Sequence, residues 1–536
     1  MRVFEAIPEL IRRCDLRVVF GLFGSANVAW VGHGVQEGML DWVRTRHEET
    51  SVAAAAAYSK VTGKVGLATT TLGPGFANTV NALAASVHDH VPILLITGQS
   101  PSNKRHGDFQ RLNQREIANA VGAGFHNAAK PYEVEPAYWA ALRAAHWNGT
   151  PQVLSIDEAM LADELTLSDE VPTNLRPTTE PDPEPVTAAV DVLESARMPL
   201  ILAGRGAIMA ECHDDLVTLA DLVGARVATT LGAPRYFSGH PADLGVCGTS
   251  SSPAVQEALH DTDVVLAVGA TLNSFTTAEG GMFPGAKIIQ CELDVDQGFK
   301  ASSPQLGLLG DAGACVRALT AEWRRRGHGS RPVSARVPSR DDIERSILEV
   351  DLGHDPERGL DPRTVHVIFN RKLPANRIVV TDGGRAGIPL PALLDAQDAQ
   401  SWITSRGYGS IGLGIGASIG ASVAAPDRPI VLFCGDGGFM MSAQELDTIR
   451  LHHLDVTIVI MNDAQYGSEI KYLNKLGLDL EVAQQSMPDI MLLAKAFGGS
   501  GVILETDHDL DKVELPLSGL FLVEVRIDPE INPANI

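Results

Sequence analysis

Two carboxylates in the last quarter of the sequence are spaced as a divalent cation would require. Asp436 lies in GDGGF (435–439), directly after the apolar run PIVLFC. Asp463 lies in MNDAQYG (461–467), at the end of VTIVIM. Both sites are C-terminal strand ends, where open α/β sheets build ligand sites. The aspartates are 27 positions apart, a distance filled by one helix and the next strand. Such a unit returns its end to the edge where it began, so the two carboxylates converge. Hard oxygen ligands beside glycine turns suit Mg²⁺ or Ca²⁺ carrying a diphosphate. Gly437 and Gly438 would let backbone N–H groups approach the phosphate oxygens. Asp-Gly is also a common turn pair, so the spaced arrangement carries this reading and GDG alone does not.

The elements that must position these residues fall into three α/β blocks. Residues 1–165 contain buried-strand runs such as VVFGLFG, VGLATTT and VPILLITG, interleaved with helical stretches. Residues 187–326 repeat the alternation with PLILAGRGA, ARVATTL, TDVVLAVGA and AKIIQCELD, and residues 358–536 do so with NRIVVTDGG, RPIVLFCGDGG, VTIVIMND and LFLVEVRID. Pro-, Thr- and acid-rich residues 166–186 and polar residues 327–357 read as linkers. Strand–helix alternation in every block predicts an α/β protein of three doubly wound parallel sheets.

At 536 residues, several domains are expected. The formal charge of −23 argues against a nucleic-acid partner, because phosphate contacts need a basic face. No apolar run of about 18 residues occurs, so no membrane span is expected. The N-terminus lacks a signal-peptide core, and the six scattered cysteines have no CxxC spacing. Reduced thiols in a cytoplasmic protein are the plain reading. No histidine pair has the companions that a zinc site needs.

GDG, a gap of this length and then Asn-Asp resembles the fingerprint of thiamine-diphosphate enzymes, a family that includes acetolactate synthases and 2-oxoacid decarboxylases. A second match is RHEETSVAAAAAYSKVTGKVGLATTTLGPGFANTVNAL (46–83), which resembles the family's pyrimidine-binding domain. A third is SRGYGSIGLGIGASIGA (405–421). The likeness spans essentially the whole chain in family order. It makes the first block pyrimidine-binding, the second central and the third diphosphate-binding. It implies Mg²⁺ held by the side chains of Asp436 and Asp463 and the carbonyl of Gln465. Many family members have Asn at the position of Asp463, and the extra carboxylate here should tighten cation binding. Glu48 matches the catalytic glutamate, whose carboxyl supports the cofactor's proton-accepting imino tautomer through ring nitrogen N1′. Taken alone, a Glu opening a helix simply complements the dipole. Ile411 takes the position that props the bent cofactor, and the Gly409 carbonyl would accept from its amino group. Gly435, Gly73, Asn78 and Gly384 complete the implied cofactor-binding set. The alanine-rich helix implies a subunit interface, with Glu48 of one subunit serving the cofactor held by another. A homodimer is then the smallest active unit, and a homotetramer the expected assembly.

The reaction is expected to be decarboxylation of a 2-oxoacid, with release of the product or its transfer to an aldehyde or ketone. Acetolactate synthases bind FAD in the central domain through an Arg-Phe-Asp-Asp-Arg-like segment. This chain has ATLNSFTT (270–277) there, which counts against FAD. Phe109 and Gln110 occupy the place of a substrate-lining Phe-Gln pair, with His106 beside them. Glu469 stands where decarboxylase-like members carry a glutamate able to place a proton on the product. The alternatives are a thiamine-dependent lyase acting on a 2-hydroxy ketone or 2-hydroxyacyl thioester, and a non-catalytic thiamine-fold subunit. An oxidoreductase using GRGAIMA (204–210) as a dinucleotide loop lacks the third glycine of that motif.

Overall fold

The computed structural model describes residues 1–100, 110–172, 178–293, 303–333, 336–405 and 407–533. The N-terminal sheet is built from β1 (Val18–Gly21), β2 (Asp41–Arg44), β3 (Gly66–Thr70), β4 (Ile93–Gln99), β5 (Gly124–Ala128) and β6 (Gln152–Asp157), in the order β2-β1-β3-β4-β6-β5. The central sheet runs β12-β11-β10-β7-β8-β9. Its strands are β7 (Pro199–Ala203), β8 (Arg226–Thr229), β9 (Asp243–Val246), β10 (Val264–Val268), β11 (Lys287–Glu292) and β12 (Leu306–Leu309). The C-terminal sheet repeats the order of the first, as β14-β13-β15-β16-β18-β17. It comprises β13 (Ile378–Thr381), β14 (Trp402–Thr404), β15 (Ile430–Gly435), β16 (Val456–Asn462), β17 (Ser500–Leu504) and β18 (Leu520–Arg526). Every recorded strand pair is parallel, so the expected three doubly wound α/β sheets are present.

Strands beyond the expected set are short or amphipathic: β9 (DLGV), β12 (LGLL), β14 (WIT) and β17 (SGVIL). In the first block, β2 (DWVR) has only one fully buried residue. They lie at sheet margins and run only three to five residues, too short for a long apolar run.

The N- and C-terminal domains share a core that runs from Phe20, Val52 and Ala55 to Ile415, Ile430 and Ile458. Its centre is the contact between helix Glu48–Thr62 and helix Gly414–Ala424. A Cβ on Gly420 would lie 2.0 Å from the Ala54 carbonyl oxygen, and one on Gly416 would lie 3.0 Å from the Ala53 Cβ. On the other face of the first helix, a Cβ on Gly66 would lie 2.0 Å from the Ala55 carbonyl oxygen. The alanine run is thus the thin layer between β3 and the C-terminal domain. In the central domain, Gly204 and Gly206 pack against Gly269, with virtual Cβ contacts of 2.2 Å and 2.7 Å. The glycines of the GRGA loop therefore serve close backbone packing.

Replacing Gly420 with valine must push the two helices apart. Overpacking of this kind should cost about 1–3 kcal/mol. Chemical denaturation should show the loss, with the midpoint falling well below that of the wild type.

Candidate active site

The C-terminal sheet places both metal-ligand candidates by register. Gly435 on β15 pairs with Met461 on β16, so the chain leaves the two strands side by side. Asp436 opens helix Asp436–Ser442, with Gly435 as its N-cap, and Asp463 follows the last residue of β16. Ala464 then takes a left-handed φ of 54°, which turns the chain sharply away from the strand.

Asp436 is almost fully buried. Its Oδ1 accepts from the Gly437 N–H at 2.9 Å; Oδ2 makes no well-formed hydrogen bond among the described residues, although the Gln485 side-chain amide lies close enough to the carboxyl to lower its pKa. Burial, reinforced by the negative charge of Asp463, pushes its carboxyl up to about 6. A buried carboxylate oxygen with no well-formed hydrogen bond lacks a partner that a cation would supply. The side-chain amide nitrogen of Gln485 is also buried without an acceptor. The Gln465 backbone carbonyl receives no hydrogen bond from the described residues, while its side chain donates to the Pro529 carbonyl at 3.1 Å. These oxygens fit a hard divalent cation.

Asp463 is not the bare extra carboxylate that its residue type suggests. Arg385, in the turn after β13, donates to its Oδ2 from Nε at 3.1 Å and from Nη2 at 2.5 Å. The premise for tighter cation binding, an uncompensated second charge, is corrected by this pair. Burial still holds the Asp463 carboxyl above the ordinary range.

The two glycines after Asp436 are required by space. A Cβ on Gly437 would lie 2.9 Å from the Tyr466 ring, and one on Gly438 would lie 2.6 Å from Asp382 Oδ2. Asp382 is a residue that the sequence reading missed. It directly follows β13 and is buried, with its carboxyl pushed up to about 6 by that burial. It accepts from the Gly412 N–H at 2.7 Å, the Gly383 N–H at 2.9 Å and the Ser405 hydroxyl at 3.4 Å. Through these bonds it holds the loop that carries Gly409 (φ 81°) and the half-buried Ile411. Gly384 has a φ of 107°, with nothing close to its virtual Cβ. The signal was present as an acid after an apolar strand, in VVTDGG.

In the N-terminal domain, Glu48 begins its helix after the His47 cap. The carboxyl is buried and accepts from Asn78 Nδ2 at 3.0 Å. A Cβ on Gly75 would lie 3.3 Å from Glu48 Oε1, and one on Gly73 would lie 2.3 Å from the Gln110 carbonyl. Glu48, Asn78, the Gly-Pro-Gly turn and Gln110 are therefore one cluster. His106 and Phe109 lie outside the described residues. Glu445 is a second missed residue. It is buried in the C-terminal domain and accepts from the Arg46 N–H at 3.1 Å on both oxygens. One domain thereby supplies an acceptor at the helix start that carries Glu48 in the other. Glu469 is exposed in the first turn of helix Gly467–Leu476, which buries none of its residues. Its carboxyl has no recorded partner among the described residues.

Two glycine-turned α/β domains, one presenting a buried glutamate and the other a buried aspartate pair at strand ends, define a diphosphate-cofactor enzyme. Family descriptions match along the chain: "Thiamine pyrophosphate enzyme, N-terminal TPP binding domain" at residues 1–117, the central domain at 186–319 and the C-terminal TPP binding domain at 382–515. The chain belongs to the thiamine-pyrophosphate enzymes. It is 29% identical over 520 residues to an acetolactate synthase large subunit of Parasynechococcus marenigrum, covering 94% of this chain and 83% of that one. It is 27% identical over 543 residues to a sulfoacetaldehyde acetyltransferase of Alcaligenes xylosoxydans xylosoxydans, covering 94% and 88%. The fold matches a thiamine diphosphate-dependent 4-hydroxybenzoylformate decarboxylase of Rhodococcus jostii RHA1 with a TM-score of 0.82 and 21% identity, covering 98% and 99%. Among the described residues no helix is long and apolar enough to cross a membrane.

Changing Asp382 to alanine would leave the Gly412 N–H without its acceptor, at a cost of about 1–3 kcal/mol. Hydrogen exchange of the 407–413 backbone should accelerate in that variant while the β15 and β16 amides stay protected.

Proposed function

We propose that this chain, with thiamine diphosphate and Mg²⁺, decarboxylates a 2-oxoacid and releases the product or passes it to a carbonyl acceptor. The observation that carries the reading is that one chain presents two unlike buried carboxyl sites, one in each TPP-binding domain. Glu48 is buried on Asn78 in one TPP-binding domain, and Asp436 is buried with an orphaned oxygen in the other. Bound thiamine diphosphate supplies the electron sink that a 2-oxoacid needs to lose CO₂. Glu48 holds a proton at the pyrimidine nitrogen N1′, and Asn78 fixes the direction in which its carboxyl points. Asp436, Asp463 and the Gln465 carbonyl hold the cation, and the Gly437 and Gly438 backbone lets the diphosphate approach. Ile411 and Gly409 shape the cradle that Asp382 braces. Gln110 is the candidate for the substrate side, as Phe109 and His106 are by their place in the sequence, and Glu469 is the candidate for delivering a proton to the product.

A homodimer, assembled further into a homotetramer, is the expected form. The helix bearing Glu469 exposes Tyr472 and Leu476, with Leu478 and Val482 exposed just beyond it. A second subunit would cover this apolar face and enclose the site. The six free cysteines suit a reducing cytoplasmic setting.

The test is CO₂ release from a panel of 2-oxoacids, alone and with aldehydes, in the presence of both cofactors. Glu48→Gln should lower the rate by about 10²–10⁴-fold, the usual worth of a positioned acid–base group. Activity in the variant equal to wild type, or no binding of thiamine diphosphate by calorimetry, would sink the proposal. A chain that binds the cofactor but releases no CO₂ would act on another donor or as a lyase.

The cation requirement carries its own pH signature. Asp436, raised to about 6, must lose its proton before it can bind a metal. Mg²⁺ affinity should therefore be constant above that range and fall as the pH is lowered through it, which a titration at pH 5, 6, 7 and 8 checks.

A further inference from the structure

Arg385 is a buried cation directly beside a carboxylate that the cofactor reading assigns to the metal. Its side chain and that of Asp463 are 9% and 8% exposed. The guanidinium is held from a second side by the Pro529 carbonyl at 2.7 Å, the same oxygen that receives the Gln465 side chain. Gly467 leaves room for it, since a Cβ there would lie 2.2 Å from Arg385 Nε. Three features of the surrounding chain thus accommodate this one side chain. Both recorded guanidinium bonds to Asp463 fall on Oδ2, and neither uses Oδ1.

This geometry separates the two oxygens of Asp463. A planar guanidinium donating to one carboxylate oxygen neutralises the group and leaves the other oxygen free of it, beside the backbone N–H of Gln465. Asparagine has the same presentation: one oxygen for a cation and no net charge. We propose that Arg385 makes Asp463 the electrostatic equivalent of an asparagine, so that Asp436 alone supplies net negative charge to the metal. The inference rests on the cofactor reading above and concerns how tightly this chain grips its cation.

The pair also settles a problem of the cation-free protein. Two buried carboxylates side by side repel one another, and each has lost its hydration. Arg385 removes one of those charges without adding a solvent path. The arrangement keeps the empty site foldable and prevents the second carboxylate from over-tightening the loaded one.

Mn²⁺ affinity distinguishes this role from simple propping of Asp463. Free Mn²⁺ would be read by electron paramagnetic resonance, with thiamine diphosphate in the same fixed excess for every variant. Arg385→Gln should tighten Mn²⁺ binding by about tenfold, the size expected when one charge-assisted partner is lost. Asp463→Asn alone leaves the guanidinium without its counter-charge and should weaken binding by a similar factor. Adding Arg385→Gln to Asp463→Asn should restore affinity towards the wild-type value, and Arg385→Lys should leave it nearly unchanged. The double variant buries neither charge, so it carries the test even if Arg385→Gln alone fails to fold. Weaker or unchanged Mn²⁺ binding on removing Arg385, in either background, overturns the proposal. Wild-type protein that binds Mn²⁺ but releases no CO₂ leaves this inference standing and removes only the decarboxylase reading. Wild-type protein that binds no Mn²⁺ overturns both.

Discussion

The structure depends first on how closely two helices approach. Helix Glu48–Thr62 presents alanines to helix Gly414–Ala424, which answers with glycines, and the virtual Cβ of Gly420 falls within 2.0 Å of a backbone oxygen. No larger residue fits there without moving one domain against the other. The shared core of the two domains follows from that contact. So does the fixed position of the Glu48 helix start, which Glu445 reaches from the opposite domain. Lys60 adds a partly covered tie, bonding both Asp89 of its own domain and the Thr404 carbonyl of the other at 2.7 Å. Packing of this kind is stiff, because interiors at crystal-like density transmit displacement rather than absorb it.

Buried carboxylates are the second theme, and each is managed differently. Asp382 is surrounded by backbone N–H donors and becomes a brace for the Gly409 loop. Glu445 accepts from the Thr448 hydroxyl in its own domain and from the Arg46 N–H across the domain boundary. Asp463 is matched by a guanidinium. Only Asp436 keeps an oxygen with no well-formed hydrogen bond among the described residues. A buried oxygen of this kind has a cost, which a bound cation would offset.

The repeated strand order of the outer two sheets explains why the halves of the site differ in chemistry but share a framework. Each sheet reverses direction beside its first strand, at the switch point where open α/β sheets in general build ligand sites. Thr70 and the Gly-Pro-Gly turn lie there in one domain, and Asp382 and Asp436 in the other. The central sheet has a different order, and its glycine-rich loop is closed against Gly269. That packing removes the most visible reason to read a dinucleotide site into GRGAIMA.

By itself the sequence determined most of what depends on neighbours along the chain. Apolar runs marked the buried strands, glycines marked tight approaches, and the 27-residue interval between Asp436 and Asp463 brought both to adjacent strand ends. Spacing suffices there because a strand–helix–strand unit has nearly fixed geometry. Short marginal strands such as β9, β12, β14 and β17 escaped it, since three to five residues leave no long apolar signal. Asp382 and Glu445 escaped for another reason: an acid after a strand or within a helix is ordinary until its burial is known. The partnership of Arg385 with Asp463, across 78 positions, belongs to the tertiary structure alone. A charge pair forms wherever folding brings its members within hydrogen-bond distance, and no local pattern encodes that meeting.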